Sequence, residues 1–388
     1  MPTVRLTTPQ QCEDFAAGLA FLGTGGGGGT MADGVRLFSD ALAKYGRIEL
    51  VDIGEIPPQA WTVSVIDVGA RKHREGPSAE ELAKFGLREE KHDQVGRIVR
   101  AVQELAAYVG VEVKAIVPAE VGSGNTSIPI QAALRLGIPC VDGDWVGRAI
   151  PELDMAKPTI FGRSIVPLAY VDRWGDVCII KELAAPAMAD RIGRMLSAGA
   201  FGGLGAAIYP MRASEAAPLL VQRSLSKALA IGKAMREDRE RGKLFSRLLE
   251  EIEGWVLFEG VLTRCDWEST VEFQHSYATH TLSGRGAFQG ESLKLWVKNE
   301  HHIAWRNGEV VATSPDLITL VDAKTGFPRT NRDIAEGDQV AVVGMKILDM
   351  AFRTPKGLEL LGPRHFGFDI EYIPIEERMA RLAGGGKK

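Results

Sequence analysis

The chain has 388 residues and a formal net charge of −4, with 45% hydrophobic and 25% charged residues. That length exceeds one ordinary core and implies two or three domains, and the composition is that of a globular protein rather than a disordered one. The slight acidity gives no reason to bind nucleic acid or anionic lipid. No apolar run reaches the roughly 18 residues of a membrane span, and no secretory apolar segment follows Met1, so the expectation is a cytoplasmic protein with a small-molecule partner.

Residues 8–21 read as a helix with Pro9 in its first turn, stopped by the run from Gly23 to Gly29; a second helix follows over 31–45. Gly23, Gly25 and Gly28 match G-x-G-x-x-G, but a helix precedes them where a dinucleotide fold needs a strand, and no acidic strand end follows at the required distance. Five consecutive glycines, each costing about 0.5–1 kcal/mol relative to alanine in regular structure, are more than a packing turn needs. Gly25, Gly26 and Gly27 are therefore expected to touch substrate, with the helix start at Thr30 favouring an anion. The competing reading is a close-packed turn.

Residues 47–53 and 61–68 read as strands, 71–91 as a charged exposed loop, and 94–109 as an amphipathic helix. Two apolar runs, 113–117 and 138–141, each end in acidic and small polar residues with a helical pattern between them, a strand, loop, helix, strand unit whose functional groups gather at the strands' carboxyl ends. Glu120, Asn125, Asp142 and Asp144 share that rim. The expected fold is an α/β N-terminal domain with a largely parallel sheet over 1–180, then a second domain over 181–388, helical at 185–252 (in segments 185–196 and 214–252 around a glycine-rich joint at 199–205) and mostly β from 255, with β runs at 269–282, 291–297 and 310–320.

Asp142 and Asp144, two apart at a strand end, point to one side and can form an acid/base pair or attract a divalent cation. Asp144 can instead cap a helix and pair with Arg148. Glu120, Ser123 and Asn125 offer a carboxylate, backbone donors and an amide together, suited to polarising a carbonyl or imine and activating water. The seven histidines form no metal pattern; of the adjacent His301 and His302 only one can reach a pocket. Cys12, Cys140, Cys178 and Cys265 are too scattered for a disulfide framework or zinc knuckle. No cofactor is required.

Several stretches together resemble the S-methyl thiohydantoin desulfurase family: Leu22-Gly-Thr-Gly-Gly-Gly-Gly28, Glu120-Val-Gly-Ser-Gly-Asn125, Val141-Asp-Gly-Asp-Trp-Val-Gly-Arg-Ala-Ile-Pro-Glu152, Ser314-Pro-Asp-Leu-Ile318, Gly362-Pro-Arg-His-Phe-Gly367 and Tyr372-Ile-Pro-Ile-Glu376. The resemblance implies an α/β domain followed by a β-rich one, and hydrolysis of an S-methylated thiohydantoin, or a related cyclic amide, with release of methanethiol. Water attacks an amidine-like ring carbon and a thiolate leaves. The polar parts would come from Glu120, Asn125, Asp142 and Asp144, with the glycine run, Ser123, Arg148 and His301 binding substrate. Departures from the family pattern at 69–78, at Gly122-Ser-Gly124 and at His301-His302 near Asn299-Glu300 bear on the substrate rather than the fold. The alternatives are a non-catalytic small-molecule-binding protein, a subunit of a hydantoinase- or oxoprolinase-like assembly, and a metal-dependent amidohydrolase. Residues 214–252 are long enough to pack either within the monomer or against a second copy in a homo-oligomer.

Overall fold

The computed structural model describes residues 2–69, 77–268 and 275–385. Nine strands come first: β1 (Val4–Leu6), β2 (Ile48–Val51), β3 (Trp61–Val68), β4 (Val113–Pro118), β5 (Cys140–Val141), β6 (Gly143–Asp144), β7 (Leu168–Val171), β8 (Val177–Ile180) and β9 (Leu204–Arg212). All but β6 join one eight-stranded sheet in the order β1-β2-β5-β4-β3-β9-β7-β8. Its heart, β2, β5, β4 and β3, is parallel, and antiparallel strands extend it on both sides. This is the expected α/β layer. The strand, loop, helix, strand unit is β4, the helix Ser123–Leu136 and β5, so the Glu120 loop opens at the carboxyl end of a central strand.

The helix Pro9–Leu22 starts as its sequence dictates. Thr8 accepts from the N–H of Gln11, the Gln11 side chain reaches back to the cap, and Pro9 takes the position where a missing N–H costs nothing. The second half carries β10 (Val221–Gln222), β11 (Trp255–Trp267), β12 (Tyr277–Gly284), β13 (Ser292–Lys298), β14 (Glu300–Arg306), β15 (Glu309–Thr313), β16 (Leu317–Asp322), β17 (Pro328–Arg329) and β18 (Gln339–Met345). β10 pairs with β6, and the rest make an antiparallel sheet, β15-β14-β13-β12-β11-β18-β16-β17. Alternation is plain in β13, where Leu293, Leu295 and Val297 are buried and the two leucines share a core with Leu262 and Leu282.

Three sequence expectations need correction. The helical stretch 214–252 is broken into Ala213–Ala216, β10, Ser224–Glu240 and Ser246–Ile252: Val221 pairs with Asp144, and Gly242 turns left-handed at φ 64°. The glycine-rich joint gives way to β9, whose Gly205 lies so close beneath the helix Gln94–Val109 that a Cβ would fall 2.5 Å from the backbone of Arg97. The run 310–320 divides into β15 and β16 around Asp316, whose carboxylate accepts from the N–H of Ile347 and Ile375, from Arg353 and from the Tyr372 hydroxyl. Of the charged stretch 71–91, residues 71–76 lie outside the described residues, and Ala79–Lys84 is a short helix. The expected strand beginning at 269 falls outside them as far as 274.

The halves are closely joined. Gly18 of Pro9–Leu22 meets the Ala228 carbonyl of Ser224–Glu240, and Gly232 meets the Asp14 carbonyl, so neither glycine has room for a side chain. Beyond this crossing, the Thr319 hydroxyl donates to Phe21 O (2.7 Å), His301 N–H to Thr24 O (2.8 Å) and Asn331 N–H to Gly25 O (2.8 Å). The second sheet thus holds the glycine loop in place.

Candidate functional site

A cavity of about 230 Å³ lies at this junction. That is below the roughly 300–1,000 Å³ of pockets for drug-sized ligands, so its occupant is small. The glycines 25–29 form one wall; Ile66 and Val68 from β3, Ile150, Leu153 and the rings of Trp145 and Tyr209 form an apolar one; Glu120 and Asn125 come from the β4 loop, and Asn299, Glu300 and Asn331 from the second sheet.

The glycine run is explained by close approach. A Cβ at Gly26 would fall 1.9 Å from Glu300 Oε1, one at Gly28 2.0 Å from Asn125 Oδ1, and one at Gly25 2.3 Å from His301 Nε2. Gly27 and Gly122 pack Cα against backbone, while the Gly27 carbonyl accepts from the N–H groups of Gly124 and Asn125 (both 3.1 Å). The run is thus a close-packed turn, and the same turn lines the cavity. The Ser123 hydroxyl donates to Ala16 O (3.4 Å), and Thr30 is spent on a capping box with Asp33. Neither residue lines the cavity.

Glu120 is buried, with Oε1 accepting from Asn125 Nδ2 and Oε2 from the N–H of Ile150. Burial and the nearby charge of Glu300 raise its pKa well above the ordinary carboxylate range, against the pull of those two donors. Burial likewise pushes Glu300 up to about 8, opposed by the charge of Arg148 and by the Gly27 N–H. Its Oε2 is buried and has no hydrogen-bond partner among the described residues. Burial and each other's field push both carboxyls toward the protonated form.

The other acids around the cavity are matched with cations. Glu152 pairs with Lys298 and lies near His365, which together hold it at about 2 despite burial; Asp190, also buried, is kept below its usual value by Arg194 (2.6 Å) and His275; Asp67 pairs with Arg97 (3.0 Å).

Asp142 and Asp144 do not reach the cavity. They do share a side, which is the start of the helix Ser224–Glu240: Asp142 accepts from the N–H (2.9 Å) and hydroxyl of Ser226, and Asp144 from the Ser224 hydroxyl (2.5 Å) and the N–H groups of Val146 and Gly147. Burial lifts Asp144 to about 7. The pairing of Asp144 with Arg148 does not form; Arg148 is fully buried behind the site. His301 is also behind it, bonded to Ile318 O (2.9 Å) and Asn331 Oδ1 (3.0 Å), with burial pushing its pKa down to about 3. Among the described residues no group of three or more His, Cys, Asp or Glu is arranged to hold a metal ion.

Glu300 is the residue that sequence reasoning passed over. Its signal was its place beside the departure at His301-His302, where a buried acid opens β14 directly after a left-handed Asn299 (φ 58°).

Residues 10–182 match the S-Me-THD-like N-terminal domain and residues 184–375 the S-Me-THD-like C-terminal domain. The chain belongs to the S-methyl thiohydantoin desulfurase family, a thiohydantoin-associated group. A crystal structure of a protein from Chromobacterium violaceum is similar with a TM-score of 0.73 at 20% identity, over 96% of this chain and 100% of that one. At that identity the likeness establishes the fold alone. No curated protein matches the chain. No helix among the described residues is long and apolar enough to cross a membrane.

Proposed function

We propose that this protein is a hydrolase acting on a small five-membered nitrogen heterocycle, an S-methyl thiohydantoin in the first instance, with Glu120 and Glu300 as its acid/base pair. The observation that carries the reading is the pair itself: two buried carboxyls lining one small cavity, one of them with an oxygen that has no partner among the described residues. Both Glu120 oxygens accept N–H donors that favour the anion, so the charge resides there and the proton on Glu300. Glu120 takes a proton from water as the water oxygen bonds to the ring carbon bearing sulfur. Glu300 gives its proton to the departing sulfur as the C–S bond breaks, and the second proton of the water passes from the new hydroxyl to the ring nitrogen, so that methanethiol and a ring carbonyl beside an N–H result. No net proton is consumed, and transfer from Glu120 to Glu300 resets the pair. The apolar wall of Ile66, Trp145 and Tyr209 suits a flat ring, and the glycine backbone and the amides of Asn299 and Asn331 suit its polar edge.

The test is turnover in ¹⁸O-labelled water. One label in the product carbonyl is expected; a product without label excludes direct attack by water on the ring carbon.

A further inference from the structure

We propose that Arg148 is the positioning residue of this site, a buried cation that locks together the backbone segments bearing the acid pair and, by its charge, holds that pair to one proton. This rests on the reading of Glu120 and Glu300 given above. The geometry is specific. Nε donates to Ala149 O (3.1 Å), Nη1 to Pro315 O (3.2 Å) and Asp316 O (3.0 Å), and Nη2 to the Thr24 hydroxyl (3.1 Å) and His301 O (3.1 Å). Three of these contacts stand one residue from the site: Thr24 precedes Gly25, Ala149 precedes the Ile150 whose N–H holds Glu120, and His301 follows Glu300. All five guanidinium N–H groups are used, in a fork that an ammonium cannot reproduce. Thr24 is held at φ 47°, a conformation that a β-branched residue rarely adopts. That strain sits where its hydroxyl meets Arg148.

None of the acceptors is a carboxylate oxygen, so the charge is not neutralised in contact. The anions facing Arg148 are Glu300, Asp316 and Glu120. Asp316 is taken up by Arg353 (2.7 Å) and three further donors. The acid pair is therefore the natural counterion. The other cations facing Glu300, Arg194 and Lys298, have Asp190 and Glu152 as partners. Asp144 faces Glu120 as a further anion, and His301 and His302 are driven by burial toward the neutral form. One buried cation against two carboxyls leaves one negative charge and one proton on the pair.

Carboxyl titration by ¹³C NMR of glutamate-labelled protein, assigned with Glu120→Gln and Glu300→Gln, tests this without requiring turnover. In the native protein the pair is expected to hold one proton at pH 6; two protons there overturn the proposal. Arg148→Met is expected to raise the pair's titration by about one pH unit or more, moving the acidic limb of the kcat/KM profile upward by the same amount. Arg148→Lys, which keeps the charge but not the fork, is expected to leave that limb in place while kcat falls at least tenfold. A folded Arg148→Met protein with an unshifted limb and carboxyl titration would show a merely structural arginine. Should that variant not fold, the native titration still decides. Absence of turnover from the native protein overturns the hydrolase reading alone, and the titration then still tests the role of Arg148.

Discussion

Glu300 Oε1 occupies the space that a side chain on Gly26 would need: a Cβ at Gly26 would lie 1.9 Å from that oxygen and 2.7 Å from Glu300 Cδ. The contact joins the glycine run of the first half of the chain to an acid on the second, and a side chain at this position would displace that acid. Gly26→Ala is expected to fold, because the clash is with a side chain that can swing rather than with backbone. Displacing the acid should lower kcat by about 10²–10⁴-fold, the usual contribution of one general acid or base. Steady-state kinetics beside a melting curve separates the two effects; full activity in a folded variant would remove Glu300 from the mechanism.

The raised pKa of Glu300 makes stability depend on pH with a definite sign. Between its ordinary value of 4.5 and about 8 the folded protein holds a proton that the unfolded chain has released. The contribution is therefore complete below about 4.5 and lost as pH rises through about 8, at roughly 1.4 kcal/mol for each pH unit crossed. Glu120, raised by burial and by Glu300, acts in the same direction. Melting temperatures should fall from pH 5 to pH 8.5 in the native protein and fall less in Glu300→Gln. Parallel curves for the two proteins would contradict the assignment.

Asp142 and Asp144 serve the first turn of Ser224–Glu240. Asp142→Ala should cost about 0.5–2 kcal/mol, as loss of a helix cap does. The turnover of the folded fraction should remain within a few-fold of native. Urea unfolding with activity normalised to folded protein measures both; a thousandfold loss of activity without loss of stability would return Asp142 to the chemistry.

At the crossing of Pro9–Leu22 and Ser224–Glu240 there is no side chain to move. A Cβ on Gly18 would lie 1.6 Å from Ala228 O, and one on Gly232 1.6 Å from Asp14 O. Gly232→Ala is expected to destabilise by about 1–3 kcal/mol or more, the cost of overpacking, by forcing the helices apart. Chemical denaturation reads this directly, and an unchanged midpoint would mean the helices do not pack so closely in solution.

Much of this architecture was legible because local chemistry and tertiary structure agree. Thr8 and Pro9 announce a helix, Trp61 to Val68 has the β-branched texture of a strand, and Val113 to Val141 reads as the unit that it forms. β9 was hidden because Leu204-Gly-Ala-Ala-Ile carries small residues selected by the helix lying on it, not by strand propensity. The break at 221–222 was hidden because its cause, pairing with Asp144, is some 80 residues away in the chain. The site was half legible. Glu120, Asn125 and the glycines stand out beside turn chemistry, whereas Glu300 opens a strand with no motif around it and gains its character only when folding brings it against Gly26. That Asp142 and Asp144 lie away from the cavity was hidden for the converse reason: the serines that engage them lie at 224 and 226, beyond any local pattern.

The measurement that bears most directly on the central claim is release of methanethiol from an S-methyl thiohydantoin by the purified protein, compared with Glu120→Gln and Glu300→Gln. Release by the native protein that falls at least a hundredfold in each folded variant is the expected result. No release from folded native protein, or undiminished release from Glu300→Gln, would contradict the assignment of the pair.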